Sequence, residues 1–549
     1  MPIKDINNSL ESNSSYALKR SFKKESIKLL KGIPHKRFLK KFYKKHNYKT
    51  LWIVSNEINS SKSSELFSQI KNDLTLNPNG VIIKQFHLLE KKLDENMTNF
   101  QRLRNELKLT SLYYSYLKHT LYGEIEWKKF SYKLSSLKRY KINANWIRTK
   151  APYNISKLLT QNDINKTIEE ITPNRFGYAG LIEALKRLTT IKKSGGWEKL
   201  PKSKKLKLGS SGDIVKQLRK RLTVSGDYQT CDNNITFKNE DNNESNSTHI
   251  DKDALFDNCL DIAVKKFQKR HGLAVDGVVG KGTKRALNMS VDEKIRKVLL
   301  NIDRIKWLPR EELKRYIVVN IPEFMLHYIE NNQSKQKLRV IVGKRTHPTP
   351  IFNQKISFIV LNPYWKVPEG IVKREIIPAM IKNPNYLRKQ GLEAHRTWDE
   401  NSRVIDTSFI YWEDYLYGGQ KFPYRLMQPP GPRNALGKIK FKFPNRFSVY
   451  LHDTPTRYLF KKSVRAFSHG CVRLSQPEKL LKTISTFDKK VNFKKSKKIL
   501  KGKHKRQLNM SKKLPIYLVY LTAGMNKNGE LEFRDDIYHY DKYTKRHSN

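Results

Sequence analysis

Residues 468–473 read Ser-His-Gly-Cys-Val-Arg, and His452 stands a short distance upstream. A thiol, two imidazoles and a glycine in one stretch are the parts that nucleophilic acyl chemistry needs. They are a sulfur nucleophile, a base to deprotonate it, and backbone N–H groups to hold a developing oxyanion. A free thiol titrates near ~8.5 and an imidazole near ~6.5, so the imidazole can take the thiol's proton. Ser448 to His452 alternates in β fashion, which puts Tyr450 and His452 on one face and Val449 and Leu451 on the other. Cys471 is therefore the expected nucleophile and His452 the expected base, with the Tyr450 phenol on the same wall. Gly470 permits a tight turn before Cys471, and the N–H groups of Gly470 and Cys471 are the expected oxyanion donors. A buried structural cysteine beside incidental histidines is the competing account. The glycine, the second histidine and the strand–loop placement argue against it.

The elements that carry these residues belong to a chain of 549 residues, enough for three or four domains. Its hydrophobic content of 38% and aromatic content of 11% suffice for folded cores. The net charge is +58, with basic runs spread over the whole length rather than gathered in one patch with interleaved aromatics. That distribution suits an anionic wall or membrane surface and gives specific nucleic-acid recognition little support. The Asn-rich tracts indicate that part of the lysine excess is compositional. Cys231, Cys259 and Cys471 are the three cysteines, and unpaired thiols are the expectation for the first two. No Cys/His spacing matches a zinc site, so neither a metal nor a cofactor is expected. No stretch reaches the ~18 apolar residues of a membrane span, and the first residues lack the apolar core of a signal peptide.

Tyr450-Leu451-His452-Asp453-Thr454-Pro455 and Arg465-Ala466-Phe467-Ser468-His469-Gly470-Cys471-Val472-Arg473-Leu474 resemble the active-site signature of L,D-transpeptidases with a YkuD-type catalytic domain. The His-Asp-Thr-Pro and Gly-Cys-Val-Arg forms are most similar to the YcbB (LdtD) branch. Leu361-Asn362-Pro363-Tyr364-Trp365-Lys366-Val367-Pro368, the run Gln428 to Gly437, and Phe533-Arg534-Asp535-Asp536-Ile537-Tyr538 resemble further stretches of that branch. Asp453 stands where many relatives have Gly, and Arg473 where many have Asn; both fit the branch. The resemblance implies that Cys471 attacks the bond between the diamino acid and D-Ala of a peptidoglycan tetrapeptide stem. D-Ala leaves, and an amine of a second stem takes the acyl group to give a 3→3 cross-link. It implies acylation by carbapenems and a periplasmic or envelope location. It places Gly470, Ser468, His469, Tyr450 and Arg473 at the oxyanion or substrate. Since Ser can replace His469 in the branch, it favours His452 as the base, oriented either by Asp453 or by a backbone carbonyl. The same site would serve an L,D-carboxypeptidase or a protein-to-wall transferase, and a non-catalytic basic wall-binding protein is the non-enzyme alternative.

The expected architecture is multidomain α+β. Residues 1–35 read as a basic flexible tail and 36–200 as a helical scaffold, with Phe42-Tyr43, Leu51-Trp52 and Gly195-Gly196-Trp197 similar to marks of that branch. Residues 206–289 resemble a small three-helix peptidoglycan-binding domain, interrupted by an Asn-rich insert at 231–249. Ser290-Val291-Asp292-Glu293 is a capping box that opens a linker helix within 290–315. Residues 316–549 form the mostly-β catalytic domain, in which Asn528-Gly529 signals a hairpin. Within it, 369–424 reads as a helical, aromatic lid insert carrying Trp398, Tyr411 and Trp412.

Overall fold

The computed structural model describes residues 3–91, 93, 97–230 and 251–546. The chain divides into one unit of Met1–Phe130, Arg148–Glu311 and Thr522–Asn549, and another of Ser131–Ile147 and Glu312–Leu521.

The centre of the first unit is α1 (Asn99–Tyr122), which begins at a Thr98/Gln101 capping box. Its buried Leu107, Leu117 and Leu121 face a large apolar cluster. Glu106, on the same helix, is fully buried and held by the N–H groups of Leu51, Trp52 and Ile53 and by the Tyr43 hydroxyl at 2.6–3.1 Å. Tyr43 and Trp52 are thus core residues gathered around one satisfied carboxylate. Residues 3–35 differ from the tail expected over 1–35. Helices span Ile3–Lys24 and Ser26–Leu29, and Leu18, Leu29, Leu30 and Ile33 are buried in the same cluster as α1. These apolar positions are spaced among so many Lys and Ser residues that their shared face does not stand out in the sequence.

Further along lie α2 (Tyr178–Lys193), then α3 (Asp213–Val224), α4 (Asn258–Arg270) and α5 (Lys281–Leu287). The last three enclose a core of their own, including Leu218, Leu222, Val264, Phe267 and Leu287. Cys259 takes part in a disulfide, which corrects the expectation of an unpaired thiol; Cys231 and the Asn-rich insert lie outside the described residues. Helix α6 (Val291–Ile305) opens at the capping box, with Ser290 Oγ accepting from the Glu293 N–H at 3.1 Å and the Glu293 carboxylate from the Ser290 N–H at 2.7 Å. It packs against α2 and is tied to the segment after 522. Arg304 pairs with Asp541 at 2.6 Å and Asp303 with Arg546 at 2.9 Å. The hairpin at Asn528-Gly529, between strands Ala523–Met525 and Leu531–Phe533, therefore belongs with this first unit rather than with the β-rich one.

The second unit is built on nine strands: β1 (Arg315–Asn320), β2 (Met325–Glu330), β3 (Gln333–Gly343), β4 (Phe352–Leu361), β5 (Ile439–Lys442), β6 (Leu451–His452), β7 (Ala466–Ser468), β8 (Val472–Leu474) and β9 (Arg506–Val519). Their order is β7-β3-β8-β6-β5-β4-β9-β1-β2, and β2 also pairs with β3, so eight of them close on themselves. Alternation buries Ile317, Val319, Ile359, Leu361, Phe441, Leu451, Val472 and Leu474 inside the closed sheet. Between β4 and β5 the chain leaves the sheet to form an insert. It has helices Ile377–Lys382 and Tyr386–Gln390, a four-stranded sheet and a separate core around Ile376, Met380, Leu387, Trp412 and Phe422.

Candidate active site

Parallel pairing of β6 with β8 sets the site: Leu451 is opposite Val472 and His452 opposite Arg473. Extending the register by one residue puts Tyr450 beside Cys471, and the Val472 N–H donates to the Tyr450 carbonyl at 3.1 Å. Because side chains alternate across a sheet, Tyr450, His452, Cys471 and Arg473 share one face. Strand β5 adds Lys440, which pairs with His452 in the antiparallel ladder. The regular strand begins only at Leu451, since Ser448 takes a left-handed turn at φ 54°. The Tyr450 and His452 rings nevertheless remain neighbours, 5.6 Å between centroids.

The His452 ring is buried, and its Nδ1 contacts the backbone carbonyl of Asp453 at 2.5 Å. A carbonyl can only accept, so Nδ1 carries the hydrogen and Nε2 is left as the acceptor. Burial, reinforced by the charges of Arg473 and Lys440, pushes the His452 pKa down to about 3. The orienting group is thus the carbonyl of Asp453. Its carboxylate accepts instead from the Lys438 and Thr454 N–H groups and from Arg457, at 2.6–2.9 Å. Gly437, at φ 58°, permits this contact: a Cβ there would come within 2.4 Å of the Asp453 carboxyl carbon.

Cys471 is a free cysteine and half-buried. Burial raises its thiol, opposed by hydrogen bonding to Tyr450 and by the charges of Lys440 and Arg473. Burial also lifts the Tyr450 phenol well above its usual range. The ammonium of Lys440 sits 3.7 Å from the centre of the Tyr450 ring, and burial brings it down to about 8. Lys440 was not singled out in the sequence. Its signal was faint, a lysine alternating with apolar residues in Ile439-Lys440-Phe441-Lys442.

The turn before Cys471 is pinned by two hydroxyls. Ser468 Oγ donates to the Cys471 carbonyl at 2.5 Å and accepts from the Gly470 N–H at 3.1 Å. Thr349 Oγ1 donates to the Gly470 carbonyl and accepts from the Gly343 N–H, each at 2.9 Å. Gly470 has φ 114° with nothing closer than 3.9 Å to a built Cβ, so conformation rather than space calls for glycine. Since its N–H is given to Ser468, it differs from the expected pair of oxyanion donors. The Cys471 N–H makes no hydrogen bond with the described residues. Arg473 donates to Thr456 Oγ1 at 3.2 Å.

His469 points the other way. Its Nε2 meets the carboxylate of Glu375 at 2.5 Å, and Lys344 reaches the same carboxylate at 3.8 Å. Glu375 lies in a π-helical turn, Val372–Ile376, of the insert, so the insert touches the loop that carries Cys471. The aromatic residues expected in the insert separate. Trp412 is buried and stacked on Phe422 at 5.2 Å. Tyr411 is 77% exposed and Trp398 39% exposed, the latter under Arg425. Trp412 therefore packs the insert's own core and presents no surface to a ligand.

Residues 314–493 match a family described as the L,D-transpeptidase catalytic domain, 37–185 one described as a scaffold domain, and 211–287 one described as "Putative peptidoglycan binding domain". A protein of Haemophilus influenzae described as "Putative L,D-transpeptidase" is 34% identical over 248 residues. The match covers 45% of this chain and 48% of that protein, so the chain spans about half the length of the curated relative it matches. Crystal structures of L,D-transpeptidases from Stackebrandtia nassauensis and Xylanimonas cellulosilytica align at 15% and 14% identity. Each covers 58% of this chain, with 96% and 99% of the other chain and TM-scores of 0.22 and 0.18. The chain thus carries a YkuD-type L,D-transpeptidase catalytic domain, joined to a helical scaffold domain and a peptidoglycan-binding domain.

Proposed function

We propose that this protein is an envelope enzyme that cross-links peptidoglycan stems through a Cys471 thioester. The observation that carries the reading is the His452 tautomer: with Nδ1–H held by the Asp453 carbonyl, Nε2 is the ring's proton acceptor on the face shared with Cys471. A raised thiol beside a depressed imidazole makes the resting pair neutral, so the proton moves as the attack occurs. The Cys471 sulfur adds to the carbonyl between the diamino acid and D-Ala of a tetrapeptide stem, and its proton passes to His452. The Cys471 N–H faces the oxyanion, with Lys440 and Arg473 supplying positive charge nearby. Collapse expels D-Ala, whose amine takes the proton from His452. An amine of a second stem then attacks the thioester, gives a proton to His452 and leaves with the acyl group as a 3→3 cross-link, restoring the thiol. The same thiol would be acylated by carbapenems, and the periplasmic face of the envelope is where such a substrate lies.

Disaccharide-tetrapeptides incubated with the full chain and with Cys471→Ala test the reading by mass spectrometry. Dimers that have lost one D-Ala, formed only by the unsubstituted protein, are expected. Tripeptide monomers alone would make it a carboxypeptidase. The absence of any Cys471-dependent product would reject an acyl-transfer role.

A further inference from the structure

Strand β5 turns Ile439 and Phe441 into the closed sheet and Lys440 and Lys442 out of it. A lysine on an outer face is ordinarily solvated. Lys440 is instead half-buried, with its ammonium seated on the Tyr450 ring 3.7 Å from the centre. Among the described residues that ammonium has neither a hydrogen bond nor an ion pair. The cations around it are better placed. Lys442 lies over the Phe358 ring at 4.9 Å, and Lys366 and Lys505 share the carboxylate of Glu400 at 3.4 and 2.7 Å. Arg473, on β8, donates to Thr456 Oγ1 at 3.2 Å.

A half-buried ammonium among other cations is disfavoured unless negative charge develops beside it. Tyr450 and His452 face it from β6, and Cys471 from β8. Of these, Cys471 is the group that becomes an anion when acyl chemistry begins, and its thiol meets the Tyr450 hydroxyl. The charges follow the same geometry. Burial and the charges of Lys442, Lys366 and Lys505 bring Lys440 down to about 8, and the Cys471 sulfur acts the other way.

We propose that Lys440 is the counter-charge to the sulfur: its ammonium, held on the Tyr450 ring, stabilises the negative charge that Cys471 gains during attack. It acts through Tyr450 and Cys471 and is thus a positioning residue, and its role rests on the acyl-transfer reading of Cys471. The same charge opposes a proton on His452. Lys440 therefore favours the thiolate without favouring a standing imidazolium beside it. As the pH rises past about 8 the ammonium loses its proton, and that support ends.

Alkylation of Cys471 by iodoacetamide needs no peptide substrate. Its rate, followed at the Cys471 peptide by mass spectrometry across neutral and alkaline pH, tests the proposal on the unsubstituted chain, Lys440→Met and Lys440→Arg. Near neutral pH, Lys440→Met should react about threefold or more slowly than the other two. This is a thiol shift of about one unit, partly offset by the greater nucleophilicity of a more basic thiolate. Well above pH 8 the unsubstituted chain should match Lys440→Met, while Lys440→Arg, whose charge is permanent, stays above both. The logarithmic rate of the unsubstituted chain should therefore bend near pH 8, where neither His452 nor Tyr450 titrates. That bend is read on the native chain and does not depend on a variant folding. Coinciding profiles without a bend would show that the ammonium has no hold on the sulfur and waits for a substrate carboxylate. Both variants slowed alike at every pH would show a packing role. Either result overturns the proposal, and neither alters the muropeptide products that test acyl transfer.

Discussion

Holding an imidazole by a neighbour's backbone carbonyl makes its orientation insensitive to the neighbour's side chain. Asp453→Asn should therefore keep turnover within about tenfold, whereas His452→Ala should lose about 10²–10⁴-fold in kcat. Steady-state kinetics on muropeptides would separate the two. The raised Cys471 thiol fixes a second expectation. A raised thiol pKa keeps the thiolate scarce until the pH passes the ordinary value, so the rate of Cys471 alkylation by iodoacetamide should still be climbing at pH 9. A plateau near neutrality would mean a preformed thiolate–imidazolium pair. Cys471, His452 and Tyr450 were legible in the sequence because their chemistry and their alternation lie within one short stretch. Lys440 and Thr349 were not. Lys440 reaches the site through strand pairing and Thr349 from the loop between β3 and β4, and neither a lysine in a strand nor a threonine in a loop shows in sequence whether it faces solvent or the site.

Among the elements, the insert between β4 and β5 is where expectation and structure differ most usefully. Its existence was legible, because the β alternation breaks after Pro368. Its internal packing was not, because a tryptophan that lines a cleft and one that fills a core have the same local pattern. Trp412→Ala should cost the insert about 3–5 kcal/mol. This would appear as a separate early transition in calorimetry while iodoacetamide alkylation of Cys471 is retained. Glu375→Ala removes the carboxylate shared by His469 and Lys344. It should change the acylation rate with a bulky carbapenem by several-fold and leave alkylation by the small iodoacetamide within about twofold. Equal effects on both reagents would show that Glu375 acts on the thiol's surroundings and not on access.

At the scale of the molecule, each unit contains a buried histidine held neutral: His271 in the first and His452 in the second. Both are depressed below the ordinary 6.5, His452 to about 3. The unfolded chain binds protons below pH 6.5 that these two refuse when folded. Their contribution to stability is thus complete above pH 6.5 and lost progressively as the pH falls below it, for His452 down to about 3. Between pH 7 and 5 His452 should cost about 2 kcal/mol, visible as a fall in the melting temperature that His452→Gln flattens, and His271 acts in the same direction. Among the described residues, no helix is long and apolar enough to cross a membrane. The helical scaffold and the linker helix were legible, but a helical pattern carries no record of partners more than two hundred residues away. The segment after 522 consequently read as part of the β-rich domain. Its ion pairs to α6 have a consequence for the order in which the chain is made. When α6 emerges from the ribosome, Asp303 and Arg304 have neither Arg546 nor Asp541 to meet. The whole β-rich unit is synthesised before those partners exist, so the first unit to begin is the last to be finished.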